Sequence, residues 1–353
     1  MQLESKTSTR YNLLDIIKFF LVPLVIFQHV MLYNAPISNF IRILGAAAVP
    51  IYFAISGFLV FSKENKNNYN GSYIKRYIMK TLIMYVFWCV IYFIPSSGLI
   101  FRATGATDVT GKFALTYLHY FFMYGAHTPL WYLTSVCVAI LLAFVFRKLT
   151  KSPSAVVLIA ILFYVVGALC DTYDFALEPL FGTVWTNDVL PFIKSIIITT
   201  RNGVFYGFVF VSIGMYAYEC KLKMKKWTMA ALLLASVVLL IFETQNSGCF
   251  YLTLLPIAFF TIFLITSADI PDKKMYSKIG RISGIMYLVH FGMYASAILS
   301  PVRTAFQKLI ASCGKDVFNI LYFLLIYVMT FAVSFALMKL AELKPLKWLN
   351  RLY

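Results

Sequence analysis

Residues 13–33 read LLDIIKFFLVPLVIFQHVMLY. About 20 mainly apolar residues in a helix span the hydrocarbon core of a bilayer, so this stretch predicts a membrane-crossing helix. It also carries Asp15, Lys18 and His29. Such side chains are costly in hydrocarbon and belong against a protein interior or a wet cavity. The eleven steps from Lys18 to His29 close to within about 20° of a whole number of turns, with about 16 Å between the two along the axis. Asp15 projects about 40° from His29 by the same geometry. The three side chains therefore form one polar stripe, with Lys18 near the start of the helix and His29 in its far half.

Composition supports the membrane reading. Of the 353 residues, 61% are hydrophobic and 13% charged, and mean hydropathy is +0.80. Soluble domains are about 45–50% apolar and about 25% charged. The formal net charge of +17 is that of a membrane protein whose cytosolic loops accumulate Lys and Arg, and nucleic acid is not expected as a partner. The cysteines at 89, 137, 170, 220, 249 and 313 form no C-x-x-C pair, which argues against a disulfide framework or a zinc site. No metal is expected, and no P-loop or G-x-G-x-x-G occurs. The first apolar run is too long for a signal-peptide core and reads as uncleaved.

Apolar spans are expected near 12–33, 40–62, 77–99, 129–146, 154–170, 201–219, 227–243, 248–267, 282–300 and 318–340. The reading is one all-α, polytopic transmembrane domain over 1–353 with about ten helices. The gaps near 100–128 and 171–200 have room for re-entrant or interfacial pieces. With the N-terminus in the cytosol, alternate loops hold most of the 31 Lys and Arg, among them Lys63, Lys66, Lys75, Lys148, Lys225 and Lys274. The outside segment 171–188 carries Asp171, Asp174, Glu178 and Asp188 and no basic residue. The positive-inside rule then places both termini in the cytosol.

The second span contains AAAVPIYFAISGFLVFSK, residues 46–63. Ala46 to Ala48 permit close helix approach. Pro50 frees a carbonyl, and Ser56-Gly57 allows a bend or a ligand near the backbone.

Taken with Asp15, Lys18 and His29, this stretch resembles the membrane-bound acyltransferase-3 family, whose first helix carries D-x-x-R and R-x10-H and whose second carries V-P-x-F-F-x-x-S-G-F. Residues 130–133, LWYL, resemble its H-L-W-F/Y-L. Residues 283–290, SGIMYLVH, resemble its S-x-G-I-Y-L-x-H. Lys75, Arg76 and Lys80 stand where the family has R-x-x-R, with Tyr77 and Lys80 at the aligned positions. The resemblance spans nearly the whole chain. Two departures stand out. Lys18 replaces the family's Arg and so lacks the planar bidentate fork, and Thr128-Pro129 displaces His127 from its usual place before L-W. A further run, Arg201-Asn202-Gly203-Val204-Phe205, resembles the membrane half of vancomycin-resistance serine racemases. No racemase domain is present in this sequence, and racemisation is not expected of it.

The resemblance implies transfer of an acyl group, commonly acetyl from acetyl-CoA, to a hydroxyl of a cell-surface saccharide or glycan precursor at a bacterial cytoplasmic membrane. His29 is then the candidate general base, and Asp15 organises Lys18 or another cation. Lys18, Arg76, Lys80 and Ser56 are candidates for holding the donor, since cations suit the phosphates of CoA. Arg201, Asn202, Trp131, Tyr132 and His290 are candidates for the acceptor. His290 has a second reading as a satisfied core histidine, and Arg201 as a lipid-headgroup contact. His119 reads as interfacial and Glu243 as a solvated helix end. Besides the bilayer and the acceptor, the reading leaves two alternatives, since the sequence ends at Tyr353 without an extracytoplasmic transferase domain: the chain does the transfer itself, or it uses a separate extracytoplasmic transferase or glycan-assembly protein as partner. The competing reading is a small-molecule transporter or flippase, which ten spans and polar groups at depth also suit.

Overall fold

In the computed structural model the described part of each apolar run read from the sequence lies largely on helices, and no strand occurs among the described residues. The structure describes residues 11–104, 111–123, 125, 129–220, 222–244, 248–268, 270–271, 273–295, 304 and 314–351. The end of the expected 282–300 span, His127 and Cys313 lie outside them.

In chain order the helices are α1 (Asn12–Val30), α2 (Pro36–Ala46), α3 (Ala48–Asn65), α4 (Ser72–Thr104), α5 (Gly111–Met123), α6 (Trp131–Thr150), α7 (Pro153–Leu169), α8 (Glu178–Phe181), α9 (Leu190–Ile197), α10 (Phe208–Glu219), α11 (Lys226–Glu243), α12 (Leu254–Thr266), α13 (Lys274–Ala295) and α14 (Lys315–Leu340). Six segments are long and apolar enough to cross a membrane: α1, α2 with α3, α4, α6, α11 and α14. A seventh is added if α7 and the segment through α8, bent by 88° between them, count as one span. Of the other expected spans, that on α13 is long enough at 22 residues but not apolar enough over its described length, and the rest are shorter or interrupted. The 201–219 run divides into a π-helical turn, Gly203–Gly207, followed by α10, and the 248–267 run gives only the thirteen-residue α12. The expected gap pieces are α5 and α9, joined where His119 Nε2 meets the Ile196 carbonyl at 2.8 Å.

Local chemistry sets the turns. Lys151 ends α6 in a left-handed conformation (φ 54°). Ser152 then accepts from the Ala155 N–H, and Pro153 opens α7 at a position where its missing N–H costs nothing. Between α3 and α4, the fully buried Glu64 carboxylate accepts from the N–H groups of Gly71, Tyr73 and Ile74 at 2.5, 3.0 and 3.1 Å. It thereby satisfies donors that the first turn of a helix leaves without partners. Glu243 plays a similar part at the opposite end. Its oxygens accept from the Leu252 and Thr253 N–H groups and the Tyr173 and Thr253 hydroxyls. It is a cap, rather than the solvated helix end expected from sequence.

The interior holds two main hydrophobic clusters. One is centred on α3, α6, α7, α10 and α12, the other on α1, α4, α13 and α14. In the first, α10 crosses α3 at backbone contact. A Cβ on Gly57 would lie 2.2 Å from the Val211 carbonyl oxygen, and one on Gly214 would lie 1.9 Å from that of Ala54. The opening that Ser56-Gly57 suggested for a bend or a ligand is taken, at Gly57, by another helix. The second cluster is built on α1 against α13. Tyr52, Tyr132 and Tyr287 pack against both clusters.

Contacts define two ends. At one, Asn12 Nδ2 donates to the Pro271 carbonyl (3.4 Å), and Glu219 takes Arg147 (2.8 Å) and the Tyr69 hydroxyl (2.5 Å). Burial, reinforced by the Glu219 carboxylate, raises the Tyr69 phenol above its ordinary pKa. This end gathers the start of α1 and the basic α3–α4, α6–α7, α10–α11 and α12–α13 connections. At the other, Asn319 Oδ1 accepts from Leu32 and Tyr33 N–H, and Asp316 from the Ser38 N–H and hydroxyl.

Candidate functional site

A cavity of about 330 Å³ opens between the two clusters. It is lined from α1 by Lys18 and Val25, from α3 by Tyr52 and Ser56, and from α4 by Tyr77, Lys80 and Thr81. α6 adds Tyr132 and Leu133, and α13 adds Gly280, Ser283, Gly284 and Tyr287. The structure thus brings Lys18, Ser56, Lys80 and Tyr132, read separately from four helices, onto one wall system. Arg76 is exposed and lies over the Tyr73 ring at 6.0 Å; it is not among the lining residues. At the aligned family positions, Tyr77 and Lys80 both line the cavity.

Lys18 Nζ lies 3.2 Å from Asp15 Oδ1, each side chain 22% exposed. The two are paired, as their i,i+3 spacing allows. Gly280 explains how α13 comes so close: a Cβ there would sit 2.4 Å from Asp15 Oδ1 and 2.5 Å from its Cγ. One turn on, a Cβ on Gly284 would meet nothing within 4 Å, so this second glycine keeps the cavity open. Neighbouring hydroxyls hold the wall in place. Tyr52 donates to the Lys18 carbonyl (2.5 Å), while Tyr132 donates to the Tyr52 carbonyl (3.2 Å) and shares a 2.8 Å hydrogen bond with Ser56. Tyr287 donates to the Pro129 carbonyl.

Behind Tyr287 the two histidines meet. The His29 and His290 rings are 5.2 Å apart, tilted by 37°. His290 is fully buried, and its Nδ1 lies 2.7 Å from the Tyr287 carbonyl. A carbonyl can only accept, so Nδ1 carries the proton and Nε2 presents a lone pair. Among the described residues that Nε2 has no hydrogen-bond partner. A buried, unpartnered acceptor is unusual in a satisfied core; His290 is nevertheless fully buried and, like His29, is not among the residues lining the cavity.

The Arg201-Asn202-Gly203 run separates into three tasks. Asn202 Oδ1 accepts from Val204 and Phe205 N–H at 2.9 and 3.2 Å and so caps the π-helical turn. Gly203 lets that turn touch α6, where a Cβ would lie 2.4 Å from the Ser135 carbonyl oxygen. Arg201 lies over the Trp131 indole at 4.7 Å and the Tyr206 ring at 5.8 Å. It lines a second cavity of about 500 Å³ at the end opposite the basic one. Trp131 itself is buried and serves as a platform.

Sequence reading met Tyr77 only as an aligned position and did not single out Tyr52, Thr81, Tyr287, Gly280 and Gly284. The signal for Tyr287 lay inside the SGIMYLVH stretch. The glycines lie four residues apart on α13, as a shared helix face requires.

The molecule so described is a multi-pass helical membrane protein with a cationic, tyrosine-walled interior cavity backed by paired histidines. Its residues 11–339 match the family described as an acyltransferase domain, and the chain belongs to that family. An amino-acid racemase of Enterococcus faecalis is 27% identical over 293 residues, covering 79% of this chain and 37% of the racemase. The chain thus spans little more than a third of that relative's length. No solved structure matches it.

Proposed function

We propose that the protein moves an acyl group, acetyl by preference, from acyl-CoA to a hydroxyl of a saccharide or glycan precursor at a bacterial cytoplasmic membrane. The observation that carries this is the convergence of Lys18, Lys80, Ser56 and Tyr132 on one cavity in a chain of an acyltransferase family. The basic end faces the cytosol, following the positive-inside rule, which puts both termini on the side where CoA is found. A volume of about 330 Å³ is at the small end for ligand pockets. It suits the slender pantetheine arm, with the nucleotide and its phosphates left near Lys18 and Lys80. The open face of Gly284 gives that arm its path.

The acceptor hydroxyl attacks the thioester carbonyl carbon. The C–O bond forms, the C–S bond breaks, and CoA leaves as a thiolate. His29 removes the hydroxyl proton and returns it to the departing sulfur. His290, whose ring lies 5.2 Å from that of His29 without a hydrogen bond between them, is our second candidate acceptor for that proton. Asp15 positions Lys18. A separate extracytoplasmic protein is the expected recipient or supplier of the glycan.

The test is saturable acetyl-CoA binding by the purified chain, followed by transfer. Lys18→Ala should weaken binding about 10–100-fold, the loss of a charge-assisted contact. His29→Ala should bind normally and lose transfer by about 10²–10⁴. The transport reading draws on the amino-acid racemase relative. Wild-type protein that folds but does not bind acetyl-CoA would favour it.

A further inference from the structure

The second cavity contains more than the residue that sequence reading placed there. Arg42, from α2, lines it together with Arg201, Gln28, Tyr206, Cys249 and Tyr251. Arg42 is exposed and has no ion-pair partner among the described residues. Arg201 is held flat by Trp131 and Tyr206, with Nη1 3.6 Å from Cys249 Sγ. A guanidinium stacked on aromatic rings keeps its in-plane donors directed sideways, the geometry that grips a carboxylate or phosphate. Of the nearby acids, Glu243 caps residues 252 and 253, and Asp171 Oδ1 accepts from the Cys249 N–H (2.8 Å) and the Thr172 hydroxyl (3.0 Å).

From this we infer that the far-end cavity is an anion-binding site in which Arg42 and Arg201 together take the carboxylate or phosphate of an acidic acceptor. Two cations in a chamber of about 500 Å³ exceed what a neutral hydroxyl compound requires and favour an anion. The chamber has room for a sugar- or amino-acid-sized solute. Assigning the anion to the acceptor rests on the acyl-transfer reading; the anion site itself does not.

Cys249 supplies the assay. In full-length protein whose other cysteines are changed to serine, in zwitterionic-lipid nanodiscs, the Cys249 thiolate attacks a methanethiosulfonate reagent. A mixed disulfide forms and methanesulfinate leaves. The probes are the anionic sulfonatoethyl reagent and its cationic trimethylammonioethyl counterpart, each normalised to its rate with a free thiol. The anionic reagent should react faster, with a rate that saturates as its concentration rises. Arg42→Gln should cut that preference roughly tenfold, and Arg42→Lys should keep most of it. Arg201→Gln should act in the same direction. Equal normalised rates, or an Arg42→Gln variant that keeps the anion preference, would overturn the site. In phosphatidylglycerol nanodiscs the preference should persist; its disappearance there would assign the arginines to lipid headgroups and overturn the solute reading. Acetyl-CoA binding, measured separately, shows whether the acyl-transfer reading fails on its own.

Discussion

Gly280 and Gly284 occupy successive turns of α13 and make opposite predictions. Glycine in a helix costs roughly 0.5–1 kcal/mol relative to alanine. At Gly284 an added Cβ meets nothing within 4 Å, so Gly284→Ala should recover that amount and raise the melting temperature slightly. Larger side chains there enter the cavity. If the donor's arm occupies it, Gly284→Leu and Gly284→Phe force the overlap that costs about 1–3 kcal/mol in a packed interior. That corresponds to about 5–150-fold weaker acetyl-CoA binding, in a protein that remains folded. Gly280→Ala should behave differently, because its Cβ would lie 2.4–2.8 Å from Asp15 Oδ1, Cγ and Cβ. The clash reaches Cβ, so rotating the carboxyl cannot relieve it, and both stability and Lys18 placement should suffer. Thermal melts in detergent and acetyl-CoA titrations on the variants provide the check. A folded Gly284→Phe protein with wild-type affinity would refute the placement of the donor, and a stabilised Gly280→Ala would refute the packing argument.

Two further outcomes follow from the geometry. Glu64→Ala leaves the N–H groups of Gly71, Tyr73 and Ile74 without their buried acceptor and should cost about 3 kcal/mol or more, with Glu64→Gln losing less; denaturation of the purified variants measures both. His290→Gln should keep acetyl-CoA affinity and lower transfer by about 10²–10⁴, and a single-turnover assay that finds wild-type transfer would make His290 a core residue.

The helices were legible because long apolar runs leave few alternatives, and the described part of each expected run lies largely on helix. What remained hidden was how far each helix reaches. The 201–219 run is as apolar as its neighbours, yet α10 is buried on almost every side and begins only after a π-helical turn. Hydropathy cannot distinguish a helix wrapped by protein from one wrapped by lipid. Within the site, Asp15 and Lys18 were legible because helical spacing puts them together. The His29–His290 contact was not, since it depends on how α1 and α13 pack across most of the chain. Arg76 and Lys80 look equivalent in sequence and share a helix face, but they lie about 6 Å apart along the axis, one turn of α4. Only Lys80 reaches the cavity. Arg42 carried no motif and was passed over, and only the fold places it in the same cavity as Arg201.

The acid in the polar stripe remains to be explained, since a carboxylate beside a site for a polyanion should repel its ligand. Its use lies in the unliganded protein. A lone lysine costs about 2.5–3.5 kcal/mol at the centre of a bilayer and less toward its edge; Asp15 pairs with Lys18 at 3.2 Å and, on the acyl-CoA reading proposed above, gives way to phosphate when the donor binds. With both side chains 22% exposed, the pair is worth up to about 1 kcal/mol. Asp15→Asn keeps the shape against Gly280 while removing the charge. The free protein should therefore lose about that much stability, and acetyl-CoA should bind up to about fivefold more tightly, because Lys18 no longer has to leave a partner. Both are one free energy seen from two sides, since the pair is absent from the liganded state: the upward shift in melting temperature on adding acetyl-CoA should be larger in Asp15→Asn than in the wild type. A smaller shift would mean that the carboxylate's orientation of Lys18 outweighs its competition with phosphate. The acid would then be kept to position the cation, and neutralising it before the donor binds would be secondary.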